Sequence, residues 1–243
     1  MNLRFEDILR CYGERTVLDL GHGQIDDGKI TGIIGPNGAG KSTFLNIIAG
    51  LDKPSSGRIT YGYISTDGHQ LFSEDVPRSK MTLLFQQPYL LHTTVEKNIA
   101  YPLKLRKWPK EAIAKRTREL MEDTGLTPLA KQRGWRLSSD EMQKAAFARA
   151  LSFRPELFLM DEPPSNIDSA TTAEIEVLLK KANATDGMTV VLVSHDLTQI
   201  KRLCDQVIFL HHGRIIESGP VQALLASPQQ PETQAFIEGR LLF

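Results

Sequence analysis

Short apolar runs separated by polar or glycine-rich stretches set the pattern of this 243-residue chain. Apolar, β-branched runs predict short buried strands at residues 29–34, 81–85, 157–160 and 188–193. Apolar residues at helical spacing predict helices at 42–51, 94–105, 109–125, 140–153 and around 175–182. Strands that alternate with helices indicate an α/β fold.

The remaining segments carry weaker patterns. Residues 1–28 predict short alternating strands between glycine turns, and 58–64 predicts one more strand. The polar stretch 65–80 is expected to be a loop. A hairpin is predicted for 206–210 and 214–217, followed by a tail of short helix and proline-rich chain.

Residues 89–153 differ in character from the rest of the chain. They contain more lysine and arginine and show helical spacing only. We therefore expect an α/β core at 1–88 and 154–243, with 89–153 inserted as a helical subdomain.

A phosphate-binding loop pattern lies between the first predicted buried strand and its helix. It comprises Gly35, Pro36, Asn37, Gly38, Ala39, Gly40, Lys41, Ser42 and Thr43. Glycines let backbone N–H groups approach an anion, and the helix N-terminus adds partial positive charge. Lys41 is expected to reach the β- and γ-phosphates, and the Ser42 hydroxyl to bind Mg²⁺. The sequence therefore predicts a nucleoside triphosphate site.

Polar residues stand at the carboxyl ends of three predicted strands, where α/β sheets bind ligands. These are Gln86, the pair Asp161 and Glu162, and His195. An acid behind a phosphate loop holds Mg²⁺, and Glu162 is placed to orient an attacking water. The alternative interpretation is that each of them is an ordinary exposed polar residue at a strand end. Tyr12 is predicted to be a core aromatic, with stacking on adenine as the alternative.

Composition bears on whether the chain binds nucleic acid, spans a membrane, is secreted or holds a metal through cysteine. Lys+Arg and Asp+Glu both number 29, so global charge gives no argument for nucleic acid. No apolar run has the length of a membrane span, and the N-terminus lacks the apolar stretch of a signal peptide. Cys11 and Cys204 have no metal-site spacing. We expect a cytoplasmic protein with reduced thiols.

Together and in this order, the motifs resemble those of the ATP-binding subunit of an ABC transporter. The matching parts are Tyr12, the Walker A loop at 35–43, Gln86 of the Q-loop, Asp161 and Glu162 of Walker B, the D-loop at 165–168 and the switch residue His195. The resemblance implies a P-loop NTPase with a RecA-like core, an antiparallel β subdomain and a helical subdomain. It also implies ATP and Mg²⁺ as cofactors.

For individual residues, the resemblance implies that Tyr12 stacks on adenine. It also implies that Ser42, Gln86 and Asp161 hold or approach Mg²⁺. Glu162 would be the general base.

The resemblance further implies that His195 senses the γ-phosphate, and that residues 86–106 contact an integral membrane permease subunit. In that family two ATP-binding subunits pair head to tail, either as a homodimer or with a paralogue. An extracytoplasmic solute-binding protein takes part indirectly, and the ATPase is peripheral on the inner face of the membrane.

The signature segment departs from the family pattern LSGGQ or LSGGE, because residues 137–144 read LSSDEMQK. Ser138 matches, whereas Ser139 and Asp140 replace two glycines. All three are expected to face the nucleotide of the opposite subunit. Asp140 would place a negative charge near its γ-phosphate, or serve simply as a favourable first-turn helix residue. Slow turnover, or pairing with a paralogue, follows as a hypothesis.

The segment 83–106 looks most like that of bacterial importers of small oxyanions such as tungstate or phosphate. Amino-acid and metal-ion importers remain open alternatives, since the cargo does not touch this subunit. A soluble ABC-type ATPase of cofactor assembly or regulation is a second alternative. A weakly hydrolysing subunit of a heterodimer is a third.

Overall fold

The computed structural model describes residues 1–64, 70–162 and 168–240. Of the D-loop predicted at 165–168, Asp168 alone lies within the described residues. The first part of the loop predicted at 65–80 also lies outside them.

Within the described residues the chain forms eleven strands and eight α-helices. The strands are β1 (Asn2–Tyr12), β2 (Arg15–Leu20), β3 (Gly23–Ile25), β4 (Ile30–Ile34), β5 (Ser56–Ile64), β6 (Gln70–Ser73), β7 (Met81–Leu84), β8 (Leu157–Asp161), β9 (Thr189–Val193), β10 (Gln206–His211) and β11 (Arg214–Pro220). The helices are α1 (Lys41–Ile48), α2 (Val95–Leu105), α3 (Lys110–Asp123), α4 (Ser139–Leu151), α5 (Ser169–Asp186), α6 (Leu197–Leu203), α7 (Val221–Ala226) and α8 (Pro231–Ile237).

A six-stranded sheet in the order β11-β10-β4-β9-β8-β7 forms the centre of the molecule. Its strands are parallel except β11, which returns antiparallel to β10. Both faces of this sheet are covered, so alternate residues of one strand belong to opposite cores. In β8, Phe158 and Met160 pack with α4, α5 and α6, whereas Leu157 and Leu159 pack on the side of α1.

A second, antiparallel sheet covers the outer side of α1. It contains β1, β2, β3, β5 and β6. Phe5 of β1 meets Phe44 of α1 edge to face, with ring centroids 5.2 Å apart. The helix that follows the phosphate loop is therefore buried between two sheets, which fixes the position of the loop.

The three helices predicted within 89–153 are present, with ends that differ by one or two residues from the prediction. Thr94 caps α2 by accepting a hydrogen bond from Lys97 N. Ser138 caps α4 in a reciprocal capping box with Glu141. Phe147 of α4 packs against Phe158 of β8, with ring centroids 5.8 Å apart, so this helix shares the core of the central sheet.

The prediction of a loop over 65–80 is wrong for residues 70–73. These form β6, which pairs antiparallel with β5, Tyr61 standing opposite Ser73 and Tyr63 opposite Leu71. Among the described residues β6 is the edge strand of this sheet, and Leu71 and Phe72 are exposed. A short exposed strand of this kind lacks the alternating pattern that a sequence prediction needs.

Candidate functional site

The phosphate loop joins β4 to α1 and passes close to β10. Gly35 has φ +150°, and a Cβ atom there would lie 2.0 Å from the carbonyl oxygen of Leu210. A side chain at this position would therefore collide with backbone that cannot move away. The other predicted residues of the loop, Pro36, Asn37, Gly38, Ala39, Gly40 and Thr43, complete the connection and the first turn of α1.

Lys41 folds back over the loop. Its Nζ donates hydrogen bonds to the carbonyl oxygens of Gly35, at 2.8 Å, and Pro36, at 2.9 Å. The residue is buried, and burial lowers the pKa of its ammonium group, against the opposing effect of Glu162 and Asp161. A cation held between loop carbonyls and two carboxylates is suited to an anionic ligand.

Ser42 and Asp161 lie next to each other. The Ser42 hydroxyl donates to Asp161 Oδ1 over 3.1 Å. Burial raises the pKa of Asp161, the neighbouring Glu162 adds to this, and the bond from Ser42 opposes it. The two residues come from chain segments 119 positions apart, and their predicted proximity is observed.

The carboxylate of Glu162 is the point where three strand ends meet. Its Oε2 accepts a hydrogen bond from Gln86 Nε2 at 2.7 Å, and its Oε1 lies 3.6 Å from His195 Nδ1. The backbone of Glu162 is left-handed, with φ 47°, and its N–H donates to the carbonyl oxygen of Val193. A strained backbone at a strand end is typical of a functional position. The structure thus brings Gln86, Glu162 and His195 together.

Tyr12 is not a core residue, contrary to the first expectation. Tyr12 is the last residue of β1, and its exposed fraction is 50%. The guanidinium carbon of Arg10 lies 4.2 Å from the centre of the ring, and the phenol donates to Asp52. The ring is therefore available for stacking, which was the alternative interpretation.

The signature segment contacts its own helix and α5. The Ser138 N–H donates to Glu141 Oε2 at 2.8 Å, and Ser138 Oγ accepts a hydrogen bond from Glu141 N at 3.3 Å. Ser139 is the first residue of α4. The carboxyl group of Asp140 makes a hydrogen bond with Asp168, which raises the pKa of Asp140.

Three contacts of the site were not predicted from the sequence. Arg10 and Asp52 flank Tyr12, and Gly213, between β10 and β11, donates its N–H to the carbonyl oxygen of Ala39 in the phosphate loop. Strand alternation could have placed Arg10 on the same side as Tyr12, two residues away. Asp52 and Gly213 give no such local signal, since their contacts come from tertiary structure.

Of the described residues, none belongs to a helix that is long and apolar enough to cross a membrane.

Comparisons with known proteins show which family the chain resembles. The sequence profile of the family described as "ABC transporter" matches residues 19–165. The tungstate uptake system ATP-binding protein TupC of Peptoclostridium acidaminophilum is 39% identical over 90% of this chain and 98% of its own length. The methionine import ATP-binding protein MetN of Bifidobacterium longum is 41% identical over 88% of this chain. The chain spans 53% of the length of that protein.

Solved structures show the same fold. The protein cbiO1 of Clostridium perfringens, part of the ABC transporter complex cbiONQ, has a TM-score of 0.79, with 27% identity over 98% of this chain and 95% of its own. A dimeric ATP-binding cassette in a post-hydrolysis state bound to ADP and Pi has a TM-score of 0.77, with 31% identity over 90% of this chain and 98% of its own. With its phosphate loop and its carboxylates at adjoining strand ends, the chain belongs to the ABC transporter family, has the P-loop NTPase fold and is an ATP-binding ATPase of the ABC type.

Proposed function

We propose that this chain is the ATP-hydrolysing motor subunit of an ABC importer, which couples ATP-driven dimer closure to transport through separate membrane subunits. The observation that carries the proposal is the position of Glu162. Its carboxylate is held between Gln86 and His195, next to the Ser42–Asp161 pair. A base, an anion-binding loop and a set of oxygen donors therefore share one sheet edge.

The chemistry follows from these positions. Glu162 takes a proton from water, the water oxygen forms a bond to the γ-phosphorus, and the bond from that phosphorus to the bridging oxygen breaks to leave ADP. Gln86 and His195 fix the direction of the carboxylate. Lys41 and the N–H groups of the phosphate loop hold the phosphates and offset their charge. His195 contacts the γ-phosphate and reports its loss.

The donor set fits Mg²⁺. Hard cations of this size prefer oxygen ligands and bind through one or two carboxylates together with substrate phosphates. Ser42 and Asp161 supply a hydroxyl and a carboxylate whose oxygens are 3.1 Å apart. Gln86 is close to them because it donates a hydrogen bond to Glu162, the residue after Asp161. When bound, the cation neutralises charge on the phosphates. It also favours the ionised form of Asp161, whose pKa is raised by burial.

We further propose that two ATP-binding subunits sandwich ATP, with Ser138, Ser139 and Asp140 of one chain facing the phosphate loop of the other. Residues 1–88 and 154–243 form the ATP-binding unit, and 89–153 form the helical subdomain that carries these residues. The post-hydrolysis dimer that resembles this chain supports such pairing.

The surface at 85–105 fits a membrane permease subunit. It exposes large apolar side chains, and exposed apolar surface can mark a protein–protein interface. These are Phe85, Tyr89, Leu91, Tyr101 and Leu105, and Tyr89 is 81% exposed. A permease contact at 86–106 would place the chain on the inner face of the membrane. An extracytoplasmic solute-binding protein would then deliver the cargo to the permease.

For the cargo, we propose a small oxyanion such as tungstate. The similarity to TupC over nearly its whole length supports this assignment, whereas the relatives named for methionine make methionine the competing cargo. Uptake of labelled tungstate, phosphate and methionine by cells with and without this chain decides between them. Loss of methionine uptake alone would refute the oxyanion assignment.

The motor function is tested by ATP hydrolysis at several concentrations of the purified chain with Mg²⁺. We expect a rate that rises with the square of the concentration, because two chains complete each site. Glu162→Gln should bind ATP and fail to turn it over. A Glu162→Gln variant as active as the wild type would overturn the assignment of the base.

One observation favours a second candidate, a weakly hydrolysing subunit that pairs with a paralogue. Ser139 and Asp140 fill the positions where glycine is expected, and α4 begins at Ser139, directly after the capping box of Ser138 and Glu141. Tight ATP binding without turnover by the chain alone would support this candidate. Turnover restored by a paralogue with an intact signature would establish it.

A further inference from the structure

Arg10 and Asp52 contact the Tyr12 side chain, Arg10 over one face of the ring and Asp52 at the phenol oxygen. The guanidinium carbon of Arg10 lies 4.2 Å from the ring centre. The phenol donates to Asp52 Oδ2 at 2.5 Å, and Arg10 Nη2 lies 2.7 Å from Asp52 Oδ1. Three side chains thus form a closed set of contacts, although the Tyr12 residue as a whole remains 50% exposed.

Two chain segments connect these three side chains to α1, the helix that begins at the phosphate loop: β2 at its start and the residues after its end. Tyr12 stands opposite Arg15 of β2. Two residues further along β2, the carbonyl oxygen of Val17 lies 3.0 Å from where a Cβ of Gly40 would be, so β2 touches the start of α1. Asp52 follows the end of α1. The ring therefore has a fixed position relative to the phosphate loop.

An unrestrained exposed tyrosine would lose rotamer freedom when a base stacks on it, and that loss would weaken binding. The cation over one face of the ring adds a cation–π contact and leaves the other face for a ligand. The charge of Arg10 is balanced by Asp52, whose pKa is lowered by the bond from Tyr12 and by Arg10.

We propose that Arg10 and Asp52 are positioning residues, which hold the Tyr12 ring so that its free face receives the purine base of the nucleotide. The proposal rests on the proposed function, in which ATP binds at the phosphate loop. It assigns a role in base affinity to two residues that touch neither the phosphates nor the reacting atoms.

The test compares ATP with inorganic tripolyphosphate, which lacks a base, by calorimetric titration of the full chain with Mg²⁺. We expect Arg10→Ala and Asp52→Asn each to raise the Kd for ATP by about two- to fivefold, as for loss of an exposed cation–π contact. The Kd for tripolyphosphate should not change. In steady-state hydrolysis KM should rise with kcat unchanged, and in a Tyr12→Ala background neither substitution should weaken ATP binding further.

Matched controls come from the same sheet. Arg58 and Glu6 form an exposed ion pair between β5 and β1 that does not include Tyr12, so Arg58→Ala and Glu6→Gln should leave the ATP affinity as it is. Variants of Arg10 and Asp52 that bind ATP like the wild type, or that lose ATP and tripolyphosphate equally, would overturn the inference while leaving the motor function intact. A wild-type chain that binds neither ligand would overturn both.

Discussion

Asp140 stands where the family resemblance leads one to expect glycine, and its carboxyl group makes a hydrogen bond with that of Asp168. This contact raises the pKa of Asp140 and, with the bonds from Thr171 and Ala170, lowers the pKa of Asp168. A carboxyl group expected to face a phosphate of the opposite subunit therefore has a partner within its own chain. At neutral pH the two acids repel each other.

This arrangement predicts a pH-dependent stability. A carboxyl group whose pKa is raised on folding stabilises the folded chain below its usual pKa, and that contribution is lost as pH rises through the raised value. Asp140→Asn removes the titrating group and keeps an amide that can donate to Asp168. We expect the variant to melt at a higher temperature than the wild type at about pH 7, with a smaller difference at about pH 4. A difference that is equal at both pH values would contradict the prediction.

Among the elements, the hairpin formed by β10 and β11 supports the phosphate loop from outside. Gly213 lies at its turn with φ +77°, donates to Ala39 and accepts from Asp19 N at 2.8 Å. A Cβ atom there would lie 2.4 Å from the carbonyl oxygen of Val17. The backbone of Gly213 thus connects the hairpin to β2 and to the phosphate loop by hydrogen bonds.

Gly213→Ala should consequently weaken both folding and ATP binding. A left-handed backbone with a β-carbon costs about 1 kcal/mol, and the contact with Val17 adds to this, so we expect a loss of about 2 kcal/mol or more in unfolding free energy. Gly219→Ala in the same hairpin is the control, since its Cβ would meet nothing within 4 Å. Urea unfolding and ATP titration of both variants check the prediction. Equal stabilities would refute it.

Helices α5 and α6 are joined by a buried acid. Glu176 accepts two hydrogen bonds of 2.6 Å from Arg202 and one of 3.0 Å from Gln199. Because bonds to a buried charged group contribute more than exposed ion pairs, Glu176→Ala should lower the unfolding free energy by about 2 kcal/mol. Glu174→Ala on the same helix removes an ion pair between Lys144 and the exposed carboxylate of Glu174, and it should cost less than about 1 kcal/mol. Denaturant unfolding that ranks them the other way would show that this junction is unimportant.

Local patterns predicted the buried strands, the phosphate loop and the polar strand ends, because these depend on residues close in sequence. Parallel strands then brought Gln86, Glu162 and His195 together, as expected. Asp52 lies 40 positions from Tyr12, and Gly213 is still further from Ala39 and Asp19, so nothing in the local sequence indicates those contacts. β6 was not predicted for a related reason. It is an exposed edge strand, and it is recognised mainly by its pairing with β5, which is a tertiary contact.

At the scale of the whole molecule, the proposed ATP site needs a second chain. The signature segment of one chain then acts on the nucleotide that is bound by the phosphate loop of the other chain. Substituting both Ser139→Gly and Asp140→Gly removes two side chains next to the backbone N–H groups at the start of α4, and it removes a charge.

We expect this double variant to turn over ATP at least about threefold faster than the wild type, at concentrations that saturate dimer formation. Asp140→Asn alone separates the effect of charge from that of the glycine backbone. Glu162→Gln added to the double variant should abolish the rate, which assigns it to this site. An unchanged rate would mean that the altered signature does not limit hydrolysis.

The bonds of Lys41 have a consequence for the heat of nucleotide binding. Its ammonium group already donates to the carbonyl oxygens of Gly35 and Pro36. A phosphate that reaches Lys41 replaces bonds that exist, so the enthalpy gained at this residue is a difference between two sets of hydrogen bonds. The affinity at this end of the site would then come largely from entropy, as water leaves both the phosphates and the loop. The lysine keeps its place between ligands, and the loop need not be reassembled each time a nucleotide departs.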